Sequence, residues 1–269
     1  MNDSIQQIAD LEWLNYAAIV PIVQVTPSLS LDLRDDVIIT SNEVFPYSDA
    51  THACLLRATP QTVDNLIAEV KDYFQSKGWP TTIFISPACT PADLPQRLLQ
   101  KGFIKQEDEE AWMVFDNLLS FEIPPPTPKI PVRQIAKDEL LAFVNIFAAA
   151  FEMPGDFVPY LAQMMEPSLH LPDIYHYLAF IGDQPVGTCS LVCYQSLGTL
   201  GGVGVMPTYR GSRAVTNLIL TAALTAQRRG VNTILLQTTA GARLERLLRI
   251  QGFKRIFTRV AYTFYEYAR

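Results

Sequence analysis

Along the second half of the chain, hydrophobic positions recur first at helical spacing and then in alternation. Leu140, Leu141, Val144, Phe147, Ala148 and Phe151 fall on one stripe of a helix over residues 138–151, which Pro154-Gly155 stops. A second helix is expected after it. Apolar runs at 177–181, 186–194 and 199–206, separated by Gly182-Asp183 and by residues 196–198, read as three strands of a meander, and residues 132–135 as a short strand before them. Ser212 stands where an N-cap belongs, ahead of a helix with Val215, Leu218, Ile219, Ala222 and Ala226 on one face. Arg228, Arg229 and Gly230 suit its end. A strand at 233–237, a helix with Leu244, Leu247 and Leu248 inward, the pair Gly252-Phe253 and an aromatic strand at 261–265 complete the order.

The first half repeats the end of this pattern. A helix at 62–77 with Val63, Leu66, Ile67, Val70 and Phe74 inward is followed by Gly78, a strand at 82–85, a helix at 93–100, Gly102-Phe103 and a strand at 112–115. Such agreement in order points to an internal duplication. Between the halves, residues 123–131 hold five prolines in nine positions, which favours an extended, semi-rigid connection. The expected organisation is a lobe over 1–122, a Pro-rich linker over 123–131 and a second lobe over 132–269, each mixed α/β.

Composition fits folded lobes, with 49% hydrophobic and only 18% charged residues. The net charge of −6 divides unevenly: residues 1–130 carry 8 Lys+Arg against 18 Asp+Glu, and residues 131–269 carry 13 against 9. A basic half beside an acidic one suits a small polyanion better than nucleic acid, which calls for a clustered basic stripe. Cys54, Cys89, Cys189 and Cys193 form no CxxC pair and no disulfide framework, so free thiols are expected. The first residues lack the basic flank of a signal peptide and no stretch is long enough to span a bilayer. A cytoplasmic location and no membrane partner are therefore expected.

The chemically informative stretch is 200–215, LGGVGVMPTYRGSRAV. Pro207 cannot donate a ladder hydrogen bond, so the strand before it should lose a partner and open a gap beside Val205. The chain then passes Arg210 and Gly211 into a helix start, where unpaired amides and the helix dipole favour an anion. Gly211 permits close backbone approach, and Arg210 and Arg213 offer guanidinium forks suited to phosphate. A pyrophosphate fits this arrangement.

The strand, the run Val205, Pro207, Tyr209, Arg210 and Gly211, the helix after it and the later Gly252-Phe253 resemble the GNAT superfamily of acyl-CoA-dependent N-acyltransferases. The resemblance spans 131–269, and residues 1–122 look like a degenerate copy of the same fold, as in tandem members. It implies acetyl-CoA as acyl donor, with no metal. Val203, Gly204 and Val205 would pair with the pantetheine arm, and the amides of Arg210, Gly211, Ser212, Arg213, Ala214 and Val215 would hold the pyrophosphate. The implied reaction is acetyl transfer to a small-molecule or peptide amine of unknown identity; the alternative is an inactive module that binds or senses acyl-CoA. A homodimer is compatible with either.

Three positions depart from the family pattern. The loop usually reads Arg-Gly-x-Gly-x-Gly or Ala, yet Arg213 and Val215 stand at the last two small positions, so Arg213 either pairs with a phosphate or fills the site. Leu248 replaces the tyrosine that often protonates the departing thiolate, and Gly241 replaces an asparagine. Glu152 and Tyr194 are the candidates for a base that faces the acceptor. Gly201, Gly202 and Gly204 do not complete a dinucleotide fingerprint. His170 and His176, with Asp173 between them, are better explained as a loop before a strand than as a zinc site. Cys189 and Cys193 read as packed small residues. Arg243, Arg246 and Arg249 read as a solvated helix face, with the coenzyme 3'-phosphate as the alternative.

Overall fold

The computed structural model describes residues 3–265. The first half contains α1 (Asp3–Ala17), α2 (Val20–Val25), β1 (Leu29–Leu33), β2 (Ile38–Asn42), β3 (His52–Cys54), α3 (Val63–Gln75), β4 (Thr81–Ile85), α4 (Leu94–Gln100) and β5 (Ile104–Phe115). The second contains β6 (Val132–Gln134), α5 (Leu140–Ala150), α6 (Val158–Met165), β7 (Ile174–Ile181), β8 (Gln184–Tyr194), β9 (Leu197–Val205), α7 (Ala214–Arg228), β10 (Thr233–Thr239), α8 (Arg243–Ile250) and β11 (Lys254–Phe264).

These elements form two compact units that do not follow the sequence halves. One comprises the described residues up to Val23, Pro27–Met113 and the described residues from Gln237 onward; the other comprises Gln24–Thr26 and Val114–Leu236. The difference from the expected lobes arises because β11 does not stay with its own half. It lies between β4 and β5, antiparallel to β4 in the register Val260↔Ile85 to Phe264↔Thr81. By the repeat, β5 belongs beside β4. Both strands end in runs rich in apolar and aromatic residues, 111–115 in β5 and 260–264 in β11, so either can cover that edge.

In the first unit the sheet runs β1-β2-β3-β4-β11-β5. The stripe Val63, Leu66, Ile67, Val70 and Phe74 of α3 is buried as its spacing requires, against Ile83, Leu94, Leu98, Phe103 and Tyr262. The closing strands are longer than the sequence reading, starting directly after Phe103 and Phe253.

In the second unit the order is β10-β9-β8-β7-β6, with β9 antiparallel to β8 and parallel to β10. The β8–β9 turn consists of Gln195, at φ 52°, and Ser196, so Gly198 sits inside β9 and not in the turn. The Pro-rich segment is not a free linker. Buried Asn217 of α7 donates to the carbonyls of Thr127 (2.9 Å) and Ile130 (2.7 Å), and Gln227 donates to those of Leu118 and Phe121. Proline supplies no amide for a strand ladder, so side chains of α7 satisfy these carbonyls.

His176, buried on β7, has both ring nitrogens occupied, by Ser168 Oγ at 2.9 Å and Ser190 Oγ at 2.8 Å. Burial pushes its pKa down to about 4. His170 is exposed on the turn after α6, so the two histidines do not form a pair. Because the folded chain keeps His176 neutral, its contribution to stability is complete above the unfolded pKa of about 6.5 and is lost as pH falls toward 4, by roughly 3 kcal/mol. In urea titrations at pH 7 and pH 4, the native protein should therefore lose stability relative to a His176→Asn variant on that scale. A gap between the two proteins that is the same at both pH values would contradict a neutral buried histidine.

Candidate functional site

The site is built on β9. Its ladder with β10 covers only Leu197 to Leu200, opposite Thr233 to Leu236, so the β9 edge from Gly201 to Val205 has no partner in that ladder. On its other edge β9 stays with β8, but two of its residues bulge between the pairs Ser190↔Gly201 and Thr188↔Gly204. Gly202, in the bulge, is left-handed at φ 58°, and its carbonyl accepts the Thr188 hydroxyl at 2.9 Å. The opening expected beside Val205 thus begins at Gly201, several residues before Pro207. Its cause is the bulge and the end of the β10 ladder, more than the proline.

Two helices fix the faces of this segment. Val205 is buried beside Leu218 of α7: a Cβ on Gly187 would meet both, at 2.9 and 3.2 Å. On the opposite face, Phe147 and Phe151 of the α5 end lie with ring centroids 4.7 Å apart. A Cβ on Gly202 would come within 2.9 Å of Phe147, and one on Gly204 within 2.8 Å of Ala150 and 3.0 Å of Phe151. Glycine at these alternate positions lets α5 press onto the strand backbone. In the sequence these glycines fail a dinucleotide motif, and Gly204 is a candidate for the pantetheine arm; neither reading gives them this packing role. The i, i+2 glycines and the i, i+4 phenylalanines were the signal for the contact.

After β9 the chain turns through Pro207–Tyr209, and Gly211 (φ 99°) and Arg213 (φ 70°) are both left-handed. Arg213, not Ser212, occupies the cap position of α7, and it gives no side-chain cap. Ser212 Oγ reaches the Ala214 amide at 3.4 Å, a long contact. Since Asn217 is the first residue to donate back into the turn, to the Arg213 carbonyl at 3.1 Å, the amides of Val215 and Thr216 have no intrahelical acceptor. Ala214 is buried, whereas Gly211 and Arg213 are exposed and Val215 is half-buried. This helix start has the polarity of an anion site.

The two arginines separate in role. Arg210 Nη2 donates to the Ala150 carbonyl (3.3 Å) and pairs with Glu152 Oε1 at 3.1 Å, so it is held at the end of α5. Arg213 has no side-chain partner among the described residues and is the available guanidinium. Glu152, expected as a base, is this ion-pair partner and is left-handed at φ 56°. Tyr194 pairs with Leu197 at the far end of β9 from Val205, so it is not brought to the site. Leu248 is fully buried, and Gly241 is an exposed left-handed residue whose amide donates to Glu245 at 2.5 Å. Arg249 is engaged by the same Glu245 at 2.7 Å. Cys189 is buried and Cys193 half-buried, both as free thiols. Among the described residues no three His, Cys, Asp or Glu side chains converge on a metal position, and no helix is long and apolar enough to cross a membrane.

The matching junction of the first half is shut. After β3 and β4 the chains stay together through a parallel bridge Arg57↔Thr90, with Thr90 N donating to the Leu56 carbonyl at 2.8 Å and Thr90 Oγ1 to that of Ala58 at 3.0 Å. Ahead of α3, Thr59 and Thr62 satisfy each other's amides through their hydroxyls, and Pro60 has none.

Residues 140–253 match the Acetyltransferase (GNAT) family model. No curated protein matches the chain in sequence. Among solved structures, the GCN5-related N-acetyltransferase from Kribbella flavida superposes with TM-score 0.69 at 15% identity, covering 93% of either chain. One from Sphaerobacter thermophilus gives 0.64 at 17% identity over 87% of this chain and 82% of its own. The tandem GNAT protein from the clavulanic acid biosynthesis pathway gives 0.63 at 14% identity, over 98% and 95%. The chain therefore has a mixed α/β, GNAT-like fold in tandem lobes.

Proposed function

We propose that the β9–α7 junction binds acyl-coenzyme A and that the chain is a GNAT-type N-acetyltransferase, moving an acetyl group from acetyl-CoA to a small-molecule or peptide amine. In this reading residues 1–122 and 132–269 are the tandem copies and the second holds the donor. The observation that carries it is the unpartnered β9 edge, Gly201 to Val205, leading directly into an uncapped helix start.

Val203, Gly204 and Val205 would offer backbone groups to the pantetheine amides as a neighbouring strand does. The turn of Arg210, Gly211, Ser212, Arg213, Ala214 and Val215 would take the pyrophosphate, with Arg213 supplying the charge. A neutral amine attacks the thioester carbonyl, the C–N bond forms, and a backbone amide near Val205 stabilises the oxyanion. The C–S bond then breaks, the amine loses its proton and the thiolate gains one. With Leu248 in the core, no tyrosine at that position serves as the acid, so water is the proton donor in this scheme. The same residue favours the second reading, an acyl-CoA sensor without turnover.

Free-thiol release from acetyl-CoA with a panel of amines separates the two: amine-dependent release supports transfer, whereas saturable binding without release supports the sensor. Gly211→Val should weaken acetyl-CoA binding by at least about tenfold with an unchanged fold, since a β-branched residue resists a positive φ. Equal affinity in calorimetry would move the site elsewhere. Glu152→Gln frees Arg210 and should tighten binding by up to about fivefold at low salt, the scale of an exposed ion pair. No change would leave Arg210 as a turn residue.

A further inference from the structure

The first unit contains a buried polar cluster that acetyl transfer does not use. Glu12 of α1 is fully buried. Its Oε2 accepts the Ser86 hydroxyl at 2.5 Å, while its Oε1 has no hydrogen-bond partner and lies 3.8 Å from Arg259 Nη1. Arg259, on β11 and also buried, is committed elsewhere: it pairs with Glu110, donates to Tyr16 Oη at 2.8 Å and stacks on Phe84 at 4.3 Å. Glu110 additionally accepts from Trp112 Nε1 at 2.7 Å.

Asp49 is a third carboxylate near Glu110 and Arg259, its pKa raised by burial, whereas the histidine and the thiols nearby bring no charge. His52 is held neutral, between the Ser48 carbonyl at its Nδ1 and the Tyr16 hydroxyl at its Nε2, both at 2.6 Å, and burial pushes its pKa down to about 3. Burial raises the thiols of Cys54 and Cys89 as well, the latter to about 11. Glu12 and Glu110, with Asp49 near them, therefore face one guanidinium, and the fully ionised cluster is short of positive charge. Burial holds the proton on Glu12 instead, raising its pKa to about 7.

Ser86 also lines a cavity of about 360 Å³, walled by Ile85, Ala88, Ala92 and Leu94, with Cys89 and Arg57 also on its lining. That volume is at the lower end for small-molecule sites. Ser86 Oγ gives its proton to Glu12 and accepts the Ala88 amide at 3.3 Å, which leaves one acceptor position, so a ligand group at this point must be a donor. We propose that the cavity is a binding site for a small organic monocation, a primary amine carried on an apolar body. The hydrocarbon fills the apolar walls, and the ammonium donates to Ser86 and completes the charge balance of Glu12 behind it.

The experiment is calorimetric titration of the full chain at pH 7, without acetyl-CoA, using benzylamine against benzyl alcohol and phenylacetate. Benzylamine should saturate one site at least tenfold more tightly than either analogue. Its apparent enthalpy should depend on the buffer's ionisation enthalpy, because the incoming cation displaces a proton from Glu12. Glu12→Gln should abolish that buffer dependence. Ala92→Trp, at an exposed position on the rim, should block binding and keeps the test decisive where Glu12→Gln fails to fold. The proposal is overturned by equal binding of the alcohol, by preference for phenylacetate, which would assign the cavity to Arg57, by binding that Ala92→Trp leaves intact, or by no saturable binding. None of these outcomes bears on acetyl-CoA at the β9–α7 junction.

Discussion

A strand that keeps one ladder and loses the other is the constraint on which the second unit depends. From Gly201 onward β9 is held by β8 alone, and its far edge carries backbone donors and acceptors without a strand partner. Such an edge invites another extended chain. Here it is short, buried on its faces by α5 and α7, and ends in a helix start that lacks a cap. Glycine at 202 and 204 is what allows Ala150, Phe147 and Phe151 to lie against the backbone. The close contact fixes the bulge, and the bulge fixes where the β9 edge is exposed.

The duplication shows what happens when the same plan lacks these features. In the first half the chain after β3 does not stay apart from the chain after β4, because Thr90 bridges to Leu56 and Ala58 with backbone and hydroxyl hydrogen bonds. The amides of Thr59 and Thr62 before α3 are taken by each other's hydroxyls, although α3, like α7, starts without a side-chain cap. What persists there is a partly open cavity beside a charge-unbalanced cluster, with Arg259 delivered by β11 from the other end of the sequence. One plan has thus yielded two different junctions, one open at a strand edge and one bridged by hydrogen bonds.

Much of this was legible in the sequence. The stripes of α3 and α7 and the meander β7 to β9 follow from apolar spacing, since burial of one face enforces it, whereas α5 is apolar almost all round and buries Phe143 and Ile146 while exposing Leu141 and Phe151 of its expected stripe. The run from Val205 to Gly211 located the junction correctly because proline and glycine restrict local backbone whatever surrounds them. Nonlocal choices were not legible. β5 and β11 both end in runs rich in apolar and aromatic residues, so which of them lies beside β4 is decided by packing and not by local pattern. Arg210 looked like a phosphate ligand, but its pairing with Glu152 depends on where α5 ends. Ser212 fits a cap by composition, yet two left-handed residues beside it put Arg213 in that place. Glu12 and Arg259, 247 positions apart, carry no local sign of their contact.

The central claim is that one junction, and not its copy, is open to the coenzyme. Amide hydrogen exchange measured with and without acetyl-CoA tests it residue by residue. The account predicts slowed exchange at Gly201 to Val205 and at Gly211 to Thr216, with residues 55–63 unaffected. Protection confined to 55–63, or none at the β9–α7 junction under saturating acetyl-CoA, would contradict it.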